Sequence, residues 1–425
     1  MTKKQKKSPW VVLFAILLGI ICGSLTGVNT SLFGVSFYSV YNLFGKLFLN
    51  ALMLIVVPLV SSSIITGVAR IGNDHDFQRL GLKIFGFYLG TSLLAILIGL
   101  FFVNIFNPGI SIHESGTIAT ALQPLNAAQT SIASESQLHF TDIILQLIPS
   151  NIVDAFHGQM LGLIVFSLLF GFAISKIEQK NHTILMGFWQ GIFQAMLVIT
   201  DIVMKFLPIG VFCLVAKSFA TTGLGSLQSL ALFCISVLAG LFTFTFIALP
   251  LLLKFMAKVD PRLHFKAMTP ALITAFSTSS SSATLPVTIE CVEKRAGVSN
   301  RICSLVVPLG NSVNMSGSAL YECVAVIFIA QAYGVELSIL TQFSVVLLSL
   351  IVSIGIGGIP SASLIAIVVI LKTLGIPVEG IGLLIAVDRV LDMCRTTTNV
   401  FSDSCCAILV ARSEGEEQVL KSHSF

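Results

Sequence analysis

The sequence predicts an all-α polytopic membrane protein: eight transmembrane helices, plus two helical hairpins that enter and leave on one side. Three observations predict it: the composition, the placement of the basic residues, and two apolar segments interrupted where a spanning helix should run on. Of 425 residues, 55% are hydrophobic and 10% charged, against about 25% charged in a soluble domain. The 24 Lys and Arg with 20 Asp and Glu cannot give a chain of this length a polar skin. That excludes a cytosolic enzyme, a nucleic-acid-binding module and a secreted disulfide scaffold. A net charge of +4 gives no reason to invoke nucleic acid as a partner.

The basic residues set the topology. Lys3, Lys4, Lys6 and Lys7 precede an uncharged apolar run from Pro9 to Val28. No Lys or Arg occurs between Lys83 and Lys176, or between Arg301 and Lys372, and such stretches carry the outward-facing loops. The stretches Arg70–Lys83, Lys176–Lys180, Lys254–Lys266 and Lys294–Arg301 are then cytoplasmic, as are both termini. An even number of crossings follows, and a crossing needs roughly 20 apolar residues. The spans fall at about 9–28, 38–69, 83–106, 143–175, 184–217, 226–254, 300–332 and 376–411. The first run has the Lys-rich start of a signal peptide but no convincing small-x-small cleavage site, and reads as an uncleaved helix. The segment from Asn107 to Phe140, rich in Ser, Thr, Ala and Gln, reads as an external loop. A tail, 413–425, follows the last span.

Two segments break inside apolar stretches. Ser277 to Ser282 form six consecutive hydroxyl residues, counting Thr278, within the run from Ala267 to Ile289, and such residues are weak helix formers. Gly355-Ile-Gly-Gly-Ile-Pro-Ser-Ala-Ser363 interrupts the run from Leu337 to Leu371. Irregular backbone at membrane depth must be buried in protein or line a cavity, and paired interruptions point to a transporter's binding site. Two kinked helices or external loops are the alternative.

The last span carries Asp388, Asp392, Arg395, Asn399 and Asp403. At about 100° per residue these fall within an arc of roughly 80°, with Thr396 at its edge and Arg389 pointing to the other side. Each Asp or Arg costs about 2.5–3.5 kcal/mol at a helix centre, so the set needs partners, ions or substrate. Internal pairing, Arg395 with Asp392 and Asn399 with backbone, is the structural alternative. An Arg fork with excess carboxylate suits a zwitterionic acid taken up with cations. Asn314-Met-Ser-Gly-Ser318 adds an amide and hydroxyls in a short, glycine-weakened stretch. The nine cysteines have no metal-ligand spacing, most His lie near loops or helix ends, and no zinc, haem or phosphate-cradling motif is present; no cofactor is expected.

The serine-rich tip, Asn314-Met-Ser-Gly-Ser318, Gly358-Ile-Pro360 and Asp388-x-x-x-Asp392-x-x-Arg395-Thr…Asn399-Val-x-x-Asp403 together resemble the dicarboxylate/amino acid:cation symporter (glutamate transporter) family. Met53-Leu-Ile-Val-Val-Pro-Leu-Val60 and Leu207-Pro-Ile-Gly-Val211 fit as well, so the likeness runs from about residue 10 to 412. It implies inverted repeats, re-entrant hairpins at about 264–295 and 337–372, a homotrimer, and an elevator motion of a transport domain against a scaffold. The scaffold would comprise 1–82 and, with the external loop, 107–217; the transport domain would comprise 83–106 and 218–412. It further implies import of L-glutamate or L-aspartate with Na+, H+ or both across a bacterial inner membrane.

The resemblance assigns the substrate to Ser279, Ser281, Ser318, Ile359, Ser363, Asp392, Arg395, Thr396 and Asn399. Arg395 would take the side-chain carboxylate, Asp392 the α-amino group, and Asn399 with Thr396 the α-carboxylate. Gly310, Asn314, Asn399 and Asp403 match one sodium site; Ser312, Met315, Ser353, Ile354 and Ile356 match a second. Tyr88, Thr91 and Ser92 match a third, but Ser316 stands where its carboxylate is expected, which weakens a hard-cation site. Glu322 matches the proton carrier of proton-coupled members; pairing with a local hydroxyl is the other reading. A C4-dicarboxylate or neutral amino acid symporter of the same family is the nearest alternative. An ion channel is the alternative of another class, and it would want a ring of like charge open to both sides. An intramembrane enzyme would want a nucleophile–base pair, which Ser277–Ser282 lacks.

Overall fold

The computed structural model describes residues 9–32, 35–69, 75–110, 151, 160–203, 205–222, 226–335, 337–354 and 362–420. The expected loop beyond Ile110, the first half of the span at 143–175 and the tip of the second hairpin, with Ile356 and Ile359, lie outside these residues.

The described chain is helical throughout, apart from a two-residue antiparallel ladder pairing Ser31 with Ser36 and Leu32 with Val35. Helix α1 is Pro9–Thr26, α2 Phe37–Ala69, α3 His75–Phe106, α4 Met160–Ile174, α5 Gln179–Val203 and α6 Leu207–Thr222. Helix α7 starts as Ser226–Thr243 and runs on through π-helical stretches at Phe244–Ala248 and Leu253–Ala257. Then come α8 (Pro261–Thr278), α9 (Ser281–Glu290), α10 (Asn300–Val313), α11 (Ser316–Ala332), α12 (Ile339–Ser353), α13 (Ala362–Thr373) and α14 (Ile381–Ser413). Among the described residues, Leu80–Phe106, Gln179–Thr200, Gln228–Ala257 and Asn300–Ala332 are long and apolar enough to cross a bilayer.

Apart from the α10–α11 interruption, the clearest departure from the expected spans among the described residues lies in the fifth. The single span at 184–217 is two helices, α5 and α6. Pro208 is the reason: proline is suited to the first turn of a helix, not its interior, and Asp201 and Lys205 dilute the apolar run there. The hydroxyl run behaves more economically than its composition suggests. Only Ser279 and Ser280 leave the helix: Ser279 closes α8 with φ of 49°, and the Ser280 hydroxyl caps α9 by accepting from Ala283 N. Ser277 and Thr278 instead donate to the Ile273 and Thr274 carbonyls one turn back, which satisfies them without water.

Helix packing falls into two groups, joined where α6 packs on α14. Helix α1 lies along α6, while α2 packs on α4, α5 and α6. The backbones approach closely: a Cβ at Gly23 would meet Ala216 O at 2.3 Å, and one at Gly210 would meet the Phe48 ring at the same distance. In the other group α3 packs on α11 and α7, and α14 packs on α7, α8, α10 and α11. Helix α11 is enclosed almost completely, whereas α5 presents Ile184, Phe188, Val198 and Ile202 outward.

After Ser413 the chain straps back over the base of the α8–α9 hairpin. Leu420 N donates to Ala296 O at 3.0 Å. Glu416 accepts from Ser299 N at 3.0 Å and from the Ser299 hydroxyl, so the tail caps α10, whose own N-cap Ser299 makes no cap bond. Arg412 Nε donates to Ala257 O at 2.9 Å, and Lys83 pairs with Glu414. Removing an N-cap acceptor costs about 1 kcal/mol. Glu416→Ala is therefore expected to lower the melting midpoint in detergent, with Glu416→Gln retaining part of the difference; equal midpoints for all three proteins would show that the strap contributes nothing.

Candidate substrate and cation site

Helical spacing places the polar side chains of α14 on one face, and packing buries them. Arg395 is fully buried; its Nη1 donates to Asp388 Oδ1 at 3.0 Å and its Nη2 to Asp392 Oδ1 at 2.8 Å. The guanidinium also lies over the Tyr321 ring, 3.9 Å from the centroid, a favourable arrangement for a delocalised cation. Among the described residues its Nε has no partner. The internal pairing that the sequence left open is therefore present. Arg389 is a correction to the sequence reading: it is not turned away, because Nη1 reaches Asp392 Oδ2 at 3.8 Å, three residues on and so on a neighbouring face. One buried carboxylate, Asp392, thus stands between two guanidinium groups.

The α10–α11 break supplies the second half of the site. Asn314 and Met315 leave helical geometry, which frees carbonyls and exposes the N-terminal amides of α11. Asn399 satisfies those amides: its Oδ1 accepts from Gly317 N at 2.8 Å and Ser318 N at 3.3 Å. Its Nδ2 donates to the Ser318 hydroxyl at 3.1 Å and to Met315 Sδ at 3.3 Å. Asn399 thereby ties Ser318 and Met315 to α14, with Thr396 buried one turn away.

Asn314 is the hub of a third cluster. Its Nδ2 donates to Asp403 Oδ1 at 2.9 Å and to the Ser402 hydroxyl at 3.1 Å. Its Oδ1 accepts from Ser316 at 2.8 Å, Thr91 at 3.2 Å and Ser92 at 3.3 Å. Ser316 also bonds Ser92 and Ser402, at 3.2 and 3.1 Å. Tyr88 donates to Val306 O at 2.5 Å. Gly310 lets the backbone come close to the carboxylate: a Cβ there would lie 2.6 Å from Asp403 Oδ1 and 3.1 Å from the Tyr88 oxygen. Gly310→Ala is expected to displace Asp403 and lower the melting midpoint in detergent, with helicity by circular dichroism unchanged; an unaltered midpoint would disprove the role of that contact.

The hairpins bring fewer contacts. Ser279 is buried with a hydroxyl that has no partner among the described residues, Ser281 is buried at the start of α9, and both arms pack on α14. Ser353 donates to Leu350 O at 3.0 Å, Ile354 ends the described part of α12, and Ser312 is half-buried on α10. From the other arm Ser363 interacts with Glu322, a buried carboxyl whose Oε2 has no hydrogen-bond partner among the described residues. The geometry thus joins Arg395 with Asp392 and Asp388, Asn399 with Ser318 and Met315 one turn along the same helix, and Asn314, Asp403, Gly310, Thr91, Ser92 and Ser316 in a neighbouring cluster. Sequence reasoning named Asp388 without assigning it a contact, and left out Tyr321 and Ser402. Asp388 was visible on the charged face, and Ser402 adjoins Asp403; Tyr321 had no signal of its own.

The chain is 35% identical to a proton/sodium-glutamate symport protein of Bacillus caldotenax, over 96% of this chain and 94% of the relative. Identity to the proton/glutamate-aspartate symporter of Escherichia coli (strain K12) is 33%, covering 95% and 92%. It is 31% to excitatory amino acid transporter 3 of Mus musculus, covering 94% and 84%. Residues 10–413 match the sodium:dicarboxylate symporter family from one end to the other, including every cluster described above, and the chain belongs to that family of membrane transporters.

Proposed function

We propose that the protein is a secondary active symporter that imports L-glutamate or L-aspartate with Na+, H+ or both. The observation that carries this is the buried Arg395 fork beside Asp392, next to the amide-rich start of α11 that Asn399 organises. A dicarboxylic amino acid offers the complementary set: one carboxylate for the guanidinium, an ammonium for Asp392, and a second carboxylate for the Asn399–Thr396 corner. Substrate would enter by partner exchange, its carboxylate replacing Asp392 at Arg395 Nη2 and its ammonium taking Asp392, while Asp388 keeps its bond to Arg395 Nη1. A plain C4-dicarboxylate has no ammonium to offer Asp392.

Cations supply the remaining balance. Asp403, Asn314 and the Gly310 backbone would bind one sodium; Ser312, Met315, Ser353, Ile354 and Ile356 a second, mostly through backbone oxygens. At the third site, Tyr88, Thr91 and Ser92 meet Ser316 instead of a carboxylate. Glu322, buried beside Ser363 with one oxygen unpartnered among the described residues, would carry a proton. Ser279, Ser281, Ile359 and Ser363 belong to the two hairpin tips that would close over the substrate. The two packing groups support a scaffold of α1, α2 and α4–α6 and a transport domain of α3 and α7–α14, moving as an elevator in a trimer. On this reading the chain makes eight crossings of a bacterial inner membrane, with both termini cytoplasmic.

The test is uptake of labelled L-glutamate into proteoliposomes under an inward Na+ gradient, with choline as control at matched pH. Accumulation above the external concentration supports symport, and Na+-independent accumulation driven by an acid exterior assigns the coupling to Glu322. Saturation without accumulation, or no uptake under either gradient, would refute the proposal.

A further inference from the structure

A groove of about 520 Å³ runs along α3, α7 and α14, touching the cation cluster only at Thr91, whose hydroxyl is already committed to Asn314 and the Phe87 carbonyl. Gly86, Gly90 and Leu94 form its floor on α3, Leu252 and Met256 line it from α7, and Leu409 lines it from α14. Lys83 and Ser413 stand at its mouth, where Lys83 pairs with Glu414. Its volume is within the range of small-molecule sites, and from Lys83 to Leu94 it extends about 16 Å at 1.5 Å per residue.

The two glycines are the unusual feature. Glycine is a poor residue for a helix interior, and a conserved space or a close helix neighbour usually accounts for one. A Cβ at Gly86 or Gly90 would meet nothing within 4 Å, so neither is needed for packing within this chain. They sit one turn apart and keep the groove open along α3, the helix whose Leu82, Leu93, Leu97 and Phe101 are exposed as a bilayer-facing surface would be.

We propose that this groove holds one phospholipid with a primary-amine zwitterionic headgroup. The acyl chain lies over Gly86 and Gly90, and the headgroup sits at the mouth. Charge complementarity selects the headgroup. Lys83 and Glu414 keep 28% and 31% of their side-chain surface open, and both retain unused hydrogen-bonding positions. A phosphate takes the lysine and a primary ammonium takes the carboxylate, each a charge-assisted bond. A choline headgroup has no N–H for Glu414. A glycerol headgroup brings a net negative charge to a mouth whose own charges cancel.

The experiment is native mass spectrometry of the full chain in detergent after exchange with an equimolar mixture of phosphatidylethanolamine, phosphatidylcholine and phosphatidylglycerol of identical acyl chains. One phosphatidylethanolamine is expected to be retained about tenfold over either competitor, the difference that one charge-assisted hydrogen bond supports. Gly90→Phe, which fills the groove, should lose this retention while melting in lipid-free detergent like the parent. Glu414→Gln should keep a bound lipid but lose the preference over phosphatidylcholine. Equal retention of the three lipids, unchanged binding in Gly90→Phe, or a second protein copy in place of the lipid would each overturn the proposal.

Discussion

Arg395→Gln is expected to reduce L-glutamate uptake at least about a hundredfold, the loss of two charge-assisted hydrogen bonds to a substrate carboxylate. The same change has a folding consequence that must be separated from it. Arg395 is the shared partner of Asp388 and Asp392, and removing one member of a buried ion pair costs about 3–5 kcal/mol because the other is left uncompensated. The single variant is therefore expected to express poorly. The double variant Arg395→Gln with Asp388→Asn removes one carboxylate with the guanidinium and should recover expression and monodispersity without recovering glutamate uptake. Because Asp392 and Asn399 are intact in it, uptake of a neutral amino acid such as L-glutamine should appear. Glutamate accumulation at the parental rate in the well-folded double variant would remove Arg395 from the substrate site.

The helices were legible because each carries its own evidence. Apolar runs long enough to span and the clustering of Lys and Arg located most of them, and the charged stripe on α14 needed only helical spacing. What spacing cannot supply is the partner on another element. Tyr321 beneath Arg395 reads as one more aromatic in an apolar helix until α11 and α14 are packed together. The Arg389–Asp392 approach was misjudged for a related reason: an angle on a helical wheel ignores the reach of a long side chain across one turn. The α5–α6 break was legible in principle from Pro208, but the surrounding apolar composition outweighed a single residue. The hydroxyl run of the first hairpin misled in the other direction, since composition suggested a wide interruption where two residues suffice once the others bond to their own helix.

The Asn314 cluster gives the second large expected effect, because its charge is carried by one residue. Asp403 faces the Asn314 amide, the Gly310 backbone and Tyr88, and the other side chains around Asn314 are neutral hydroxyls and a thiol. Affinity of an oxygen site for a hard cation follows the number of charged ligands. Asp403→Asn keeps the shape and a hydrogen-bonding side chain but removes the only carboxylate of this cluster. Sodium-driven accumulation should then fall by about a hundredfold, while any acid-driven uptake through Glu322 persists. Ser316→Asp tests the same principle in reverse. Ser316 bonds Asn314, Ser92 and Ser402, so a carboxylate there would join Thr91 and Ser92 in facing the amide oxygen of Asn314. Two carboxylates and a carbonyl at such distances repel unless a cation sits between them. The variant should therefore bind sodium about tenfold more tightly, show a steeper sodium dependence of uptake, and melt at a temperature that rises with sodium. A Ser316→Asp protein whose stability ignores sodium would mean that the cluster is a packing device, and that the coupling ions bind elsewhere.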